Sequence, residues 1–249
     1  MDFRAALSVF RESGGHGVGE LALRSGISRP TLYRLFGGAV PRVDDLAELA
    51  IACGWELDFD LRTLSDPMAG VAARLELGDD TAREWGREAA DWRGRLRRFV
   101  ETNAGEPHDL ALIAEAGRAT APADRPGAAF LRGDHRDVDR LVSAGRASGQ
   151  RWALSGWAAL DALGIDVDGP TVLWVEDVRV TTQLLGDSFR AGRRSTADLF
   201  VVRAHPSVFS GSTTVDDVEL VSPLQASLDG MGLGGELRER LTGHLREGR

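Results

Sequence analysis

The sequence predicts a multidomain α plus α/β protein: an all-α N-terminal helix-turn-helix domain with a trailing β-strand, a helical connector, and a C-terminal α/β domain. Three observations carry this. Residues 18–42 place apolar side chains at helical spacing on both sides of Gly26. Trp55 to Leu64 alternates apolar and polar residues. From Arg151 onward, short apolar runs alternate with amphipathic stretches, as strands and helices do in an α/β layer. The domains are then 1–64, 65–148, which is the connector and a candidate dimerisation region, and 149–249.

Each element has a local reason. Phe3, Leu7 and Phe10 share one face of a helix over 2–13, and Ser13-Gly14-Gly15 breaks it. A second helix starts at Val18 and stops at Gly26, where a positive φ costs glycine least. Ser28 is placed as an N-cap, because its hydroxyl can accept from the free N–H groups of the next turn. Pro30 falls in that first turn, where its missing N–H is harmless. Leu32, Leu35 and Phe36 form the inward stripe, and Gly37-Gly38 end the helix. Val43, Leu46, Leu49, Ala50 and Cys53 stripe a helix over 43–53.

In Trp55–Leu64, Trp55, Leu57, Phe59 and Leu61 take one side, and Glu56, Asp58, Asp60 and Arg62 the other. That is the period of a half-buried strand, pairing with its copy in a dimer or lying as an edge on its own domain. Asp66-Pro67 marks a boundary. Trp85, Ala89, Trp92, Leu96 and Phe99 form the seam of one charged helix over 80–102, packed within the chain. The arginines of 93–98 read as its solvated face. Helices at 110–116 and 137–147 flank a loop over 121–127. Strands follow at 152–154, 171–175, 198–203 and 218–221, with helices at 157–163, 178–185, 223–231 and 236–246.

Composition narrows the function classes. The net charge of −8 excludes a chain that grips nucleic acid through bulk positive charge. Charge is uneven, however: residues 1–43 hold six arginines against three acids, and the remainder 24 arginines against 35 acids. The only basic end is the one with the helix-turn-helix, as binding through one module requires. Cys53 is the only cysteine, which rules out an intrachain disulfide and fits a reducing cytoplasm. It reads as a small core residue. The N-terminus lacks a signal-peptide pattern, and no apolar run approaches a membrane span, so a cytoplasmic location without a membrane partner is expected. The five histidines lack metal-ligand spacing, so neither a metal nor another cofactor is expected.

A helix-turn-helix lays its second helix in the DNA major groove. At the front of that helix Arg29, Tyr33 and Arg34 are left outward, with Thr31 beside them. Arginines there can form bidentate bonds to guanine edges or bind phosphates. Arg29, Tyr33 and Arg34 are the candidate base readers, and Ser28, Thr31 and Arg42 the candidate phosphate contacts. Pro30, at the helix start, completes the candidate set.

This segment resembles the Xre/Cro-like repressors. The residues carrying the resemblance are Glu20-Leu21-Ala22, Ser25-Gly26-Ile27-Ser28, Thr31-Leu32-Tyr33-Arg34-Leu35, Gly38, and Leu46-Ala47-Glu48-Leu49-Ala50 with Cys53-Gly54. It covers roughly the first quarter of the chain. It departs at Val18, where the family usually has a phosphate-anchoring glutamine, and at Val43, where many members have proline. A homodimer on double-stranded operator DNA would set two recognition helices about one DNA turn apart.

A second resemblance spans about the last hundred residues. RWALSGWAALDALG, TVLWVED, ADLFVVRAH and VELVSPLQASLDGMGLGGELRERLTGHL, in that order, look like the C-terminal region of AbiEi-type antitoxins. The resemblance implies a degenerate nucleotidyltransferase-like domain, autoregulation of a toxin–antitoxin or phage-defence operon, and a cognate toxin as partner. An active nucleotidyltransferase needs a Gly-Ser turn after a strand, an Asp-x-Asp pair, and a third carboxylate on a later strand to hold Mg²⁺. Here Ser155-Gly156 is reversed, and Asp166 and Asp168 sit in a loop before the strand. Thr171, Leu173 and Val175 stand where the pair belongs, and Asp198 opens the later strand.

The expectation is therefore a sequence-specific DNA-binding regulator of the repressor or autorepressor kind, not an enzyme, with no catalytic residue. The alternatives are a nucleotidyltransferase-fold enzyme steered by its DNA-binding domain, and a protein-binding antitoxin whose DNA contact is secondary.

Overall fold

Two hydrophobic cores, each closed within its own segment, organise the chain in the computed structural model, which describes residues 3–13, 15–103 and 105–247. The segments are Met1–Arg62 and Thr63–Arg249. Gly14, part of the expected first break, lies outside the described residues.

The first unit is four helices: α1 (Phe3–Ser13), α2 (Val18–Ser25), α3 (Arg29–Phe36) and α4 (Val43–Ala52). Each contributes its apolar stripe to one core. Leu7 and Phe10 come from α1, Leu21 from α2, Leu32 and Leu35 from α3, and Leu46, Leu49 and Ala50 from α4. Ile27, in the turn between α2 and α3, closes the centre. Arg24 donates from Nε to the Ala52 carbonyl at 2.9 Å, so this cation closes the end of α4.

Residues 55–64 correct the expected trailing strand. No ladder forms there in the single chain. A strand is defined by a hydrogen-bonded neighbour, and period-two patterning cannot supply one. Leu57 alone of that face packs partly on the helical core, whereas Phe59 and Leu61 stand exposed.

The second unit begins with α5 (Pro67–Glu76), α6 (Ala90–Glu101) and α7 (His108–Ala119). Asp66 caps α5 through Met68 N–H at 2.9 Å and takes the Trp92 Nε1–H at 2.8 Å, which ties α6 to that cap. The single helix expected over 80–102 is two pieces: a 3-10 turn at Asp80–Trp85, then α6. The seam divides because its tryptophans answer to different neighbours. Trp85 stacks edge-on against His205, while Trp92 turns to Asp66. Arg74, fully buried, fastens the same corner by bonding Asp79, Thr81 and the carbonyls of Ser207 and Ser210.

After α7 come β1 (Ala129–Arg132), α8 (Val138–Ala147), β2 (Trp152–Gly156), α9 (Trp157–Ala162), β3 (Thr171–Val175), α10 (Val178–Leu184), β4 (Arg190–Ala191), β5 (Leu199–Arg203), β6 (Thr213–Val215), β7 (Val218–Leu220), α11 (Pro223–Leu233) and α12 (Gly235–Glu247). The strands make one mixed seven-stranded sheet in the order β4-β1-β5-β3-β2-β7-β6. β3 runs parallel to β5 and antiparallel to β2, while β2 runs parallel to β7. All five residues of β2 and of β3 are buried, as central strands covered on both faces must be. Ser155 and Trp174 point toward α11, whereas Trp152 lies against Gly145 of α8.

Helices α5, α6 and α7 share this core with the sheet, so residues 65–148 are packed with 149–249 and do not stand apart as a connector. Their closest approach is α7 on α11. A Cβ at Gly117 would lie 2.5 Å from the Leu228 carbonyl oxygen, so only glycine allows the two backbones to meet there. No helix among the described residues is long and apolar enough to cross a membrane.

At the centre lies Asp229 of α11, with no solvent exposure. Its Oδ2 accepts from Ser155 Oγ at 2.6 Å and Trp174 Nε1 at 2.8 Å, and its Oδ1 accepts from Gln225 Nε2 at 2.9 Å. Burial pushes its pKa from 3.8 up to about 6, against the opposing pull of those donors and of Arg125. Because the folded value is raised, the group favours folding most when protonated in both states. That contribution is lost as pH rises through about 6, at a cost on the order of 3 kcal/mol. Asp229→Asn keeps the acceptor for Ser155 and Trp174 but removes the charge. Urea midpoints taken between pH 4 and pH 7 should fall less with rising pH in that variant than in the wild type. Asp229→Ala leaves three buried donors unsatisfied and should lose more than about 3 kcal/mol at pH 4 in the same experiment.

Candidate nucleic-acid interface

The candidate site is the outer surface of α3, and its position is set by the chain around it. Gly26 takes φ +71°, ending α2 in the left-handed conformation that glycine tolerates. The Ser25 hydroxyl bonds back to the Leu21 carbonyl at 2.7 Å and receives the Ile27 N–H at 3.3 Å. The turn is therefore stitched from both sides. Ser28 then caps α3, its Oγ accepting from Thr31 N–H at 3.3 Å and lying 2.9 Å from the Thr31 hydroxyl. Pro30 occupies the first turn. Leu32 and Leu35 are buried beneath, which fixes the rotation of the helix about its axis.

That rotation decides what faces outward. Ser28, Arg29, Pro30, Tyr33 and Arg34 are exposed, and Thr31 is half-buried. Tyr33 is 65% exposed, unusual for the only tyrosine in the chain and the opposite of a core aromatic. Among the described residues neither Arg29 nor Arg34 has a carboxylate partner. Arg29 lies back over α2: a Cβ at Gly19 would sit 2.9 Å from its Nη2. Gly19 thus leaves the guanidinium room to rest along α2. Arg42 is also exposed and stands 3.5 Å from Asp44, both groups in solvent. Such a pair is worth little and yields readily to a phosphate.

Two features of this surface were not among the sequence candidates. Arg4 and Arg11 of α1, with Leu7 and Ser8, line a cavity of about 410 Å³ against Leu35, Phe36, Gly37 and Gly38 at the end of α3. Their seven-residue spacing on one helix was the available signal. Val18, where the resembled repressors carry glutamine, packs against the helical core.

The carboxylates of the nucleotidyltransferase alternative line different cavities, although Asp168 and Asp198 both act on the His135 imidazole. Asp168 lines a cavity of about 560 Å³ beside Arg193 and Leu237, Asp198 one of about 460 Å³ beside Arg132 and Phe189, and Asp166 one of about 270 Å³ beside His244. Asp168 pairs with Arg136 at 2.7 Å, and Asp198 accepts the Gly133 N–H at 3.1 Å. Ser155, of the reversed Ser-Gly turn, is buried and committed to Asp229. Thr171, at the head of β3, is buried and 3.0 Å from His135 Nδ1. Burial holds that imidazole below its ordinary pKa while Asp198 opposes the shift. Among the described residues no group of three or more His, Cys, Asp or Glu side chains could hold a metal ion.

No family model, curated protein or solved structure matches this chain.

The cap and the buried stripe are separable from the outward residues. Ser28→Ala should lower the stability of the first unit by about 1 kcal/mol, and Leu32→Ala by about 2–5 kcal/mol, read as a shift in its urea unfolding midpoint.

Proposed function

We propose that this chain is a sequence-specific DNA-binding regulator that reads operator DNA through α3. The observation that supports it most is the division of that helix: two buried leucines orient it, Arg29, Tyr33 and Arg34 are exposed, and among the described residues neither arginine has a carboxylate within ion-pair distance. A single chain of net charge −8 has no bulk attraction for DNA, so the contact must be made by a local basic surface. Arg29 and Arg34 suit bidentate bonds to guanine edges in the major groove, and Tyr33 adds an amphipathic contact between them. Ser28, Thr31 and Arg42 hold phosphates and set register, joined by Arg4 and Arg11 at the far end of α3.

The resemblance to AbiEi-type antitoxins supports a repressor of its own operon in a toxin–antitoxin or phage-defence setting. The C-terminal unit then serves as the sensing or toxin-binding part, without catalysis.

Footprinting and gel shifts on the DNA upstream of the chain's own gene test this. A protected, sequence-specific site is expected. Arg29→Ala should weaken it by about 1–3 kcal/mol and relax selectivity at one base pair. Arg42→Ala should weaken all sequences alike and reduce the slope of log affinity against log salt by about one. Equal affinity of the wild type for unrelated DNA, or an Arg29→Ala variant indistinguishable from it, overturns the proposal.

A further inference from the structure

The cavity of about 560 Å³ in the second unit has the size of a small-molecule site. Its lining is largely apolar, with Phe200 of β5, Leu233 of α11, Leu237 of α12 and Pro170. Two of its walls are fixed by close contacts. A Cβ at Gly169 would lie 2.7 Å from Leu237 Cδ1, so only glycine lets the loop before β3 close on α12. The second wall is the 3-10 turn Arg194–Thr196. Arg194 holds it in place, its two terminal nitrogens bonding the two carboxylate oxygens of Asp124. That carboxylate side chain is only 8% exposed, and a forked pair of this kind is among the stronger ionic contacts.

The charges of the lining are Asp168, Arg193, Arg194 and Glu236. Three of them are already answered. Asp168 pairs with Arg136 at 2.7 Å, Arg194 with Asp124, and Glu236 with Arg240 at 3.6 Å. Among the described residues Arg193 has no carboxylate within ion-pair distance. The cavity therefore combines an apolar lining with one uncommitted charge, a cation. Arg194 spends its fork on the wall, and Arg193, its neighbour in the chain, keeps a fork that fits a carboxylate through two parallel bonds. Ser195 adds a hydroxyl that can donate to the same group. A phosphate ester would bring a second negative charge near Asp168 and Glu236, so the charge balance favours a monoanion. The apolar lining rewards a ligand whose remainder is hydrocarbon.

We infer that this cavity binds a small organic monoanion, a carboxylate on an apolar body, through Arg193. Its role as the signal sensed by the C-terminal unit rests on the regulator reading, but the binding itself does not and is measured without DNA. Binding together with failed footprinting sinks the regulator reading alone. Footprinting together with failed binding sinks this inference alone.

The test is titration of benzoate into the full chain, followed by calorimetry and by ligand-observed NMR, with benzyl alcohol, phenyl phosphate and AMP for comparison. Benzoate should bind with a Kd on the order of millimolar, as a ligand this small allows. Benzyl alcohol, which lacks the charge, and phenyl phosphate, which adds to it, should each bind about tenfold more weakly or worse. Arg193→Gln should weaken benzoate about tenfold or more and leave benzyl alcohol unchanged, a split that loss of structure does not produce. Ser195→Trp, which fills the cavity from an exposed position, should abolish binding of both. Arg87→Gln, at an exposed arginine outside the cavity, should change nothing. Circular dichroism checks that each variant is folded. The inference is overturned by the absence of saturable benzoate binding up to about 10 mM. It is equally overturned by benzoate binding that survives Arg193→Gln or Ser195→Trp, by an equal loss in Arg87→Gln, or by phenyl phosphate or AMP binding as tightly as benzoate.

Discussion

Asp229 has no contact with solvent, yet its two oxygens take hydrogen bonds from Ser155 on β2, Trp174 on β3 and Gln225 one turn earlier on α11. A buried carboxylate is tolerable only when its lone pairs are met, and here three donors on three elements meet them. The position of α11 over the sheet follows from that constraint. So does the approach of α7, which reaches α11 across Gly117. The order of sheet and helices in the second unit can be traced from this one group outward.

The first unit rests on the opposite principle. Its core is apolar from Leu7 through Leu32 to Leu49, and Ser25, the one buried polar side chain among its described residues, bonds back to the Leu21 carbonyl. Ser25 and Ser28 fix the turn, and Arg24 closes α4. Among the described residues, Arg29 and Arg34 of α3 are exposed and have no carboxylate within ion-pair distance. Structural arginines occur in both units, Arg24 at the end of α4 and Arg74 in the second core. Arg74 is fully buried, whereas Arg29 and Arg34 are exposed and form no ion pair among the described residues.

Positions that a nucleotidyltransferase pattern would use are occupied here by internal hydrogen bonds. Ser155 and Thr171 occupy positions where that pattern wants a turn serine and an acid, and both are buried in internal hydrogen bonds. Asp166, Asp168 and Asp198 face three different cavities, and Asp168 already answers to Arg136. A carboxylate inventory read along the chain says nothing about convergence.

What the chain determined locally is read correctly from it. The Gly26 turn, the Ser28 cap with Pro30, the inward Leu32 and Leu35, and the span Thr171–Val175 all follow from periodicity and short-range hydrogen bonding. Those interactions act within a few residues, so composition and spacing contain them. What required the fold were the long-range choices. Helix α5 carries no amphipathic period because consecutive residues from Ala69 to Arg74 are all buried. Strand β1, four residues long and just after a Pro/Gly loop, exists because β4 and β5 flank it. Trp55–Leu64 has the right period but no neighbour in its own chain, and the seam from Trp85 to Phe99 breaks because Trp85 and Trp92 find different partners. A repeat along the sequence specifies which side of an element is apolar; only contact between distant segments decides whether that side is covered.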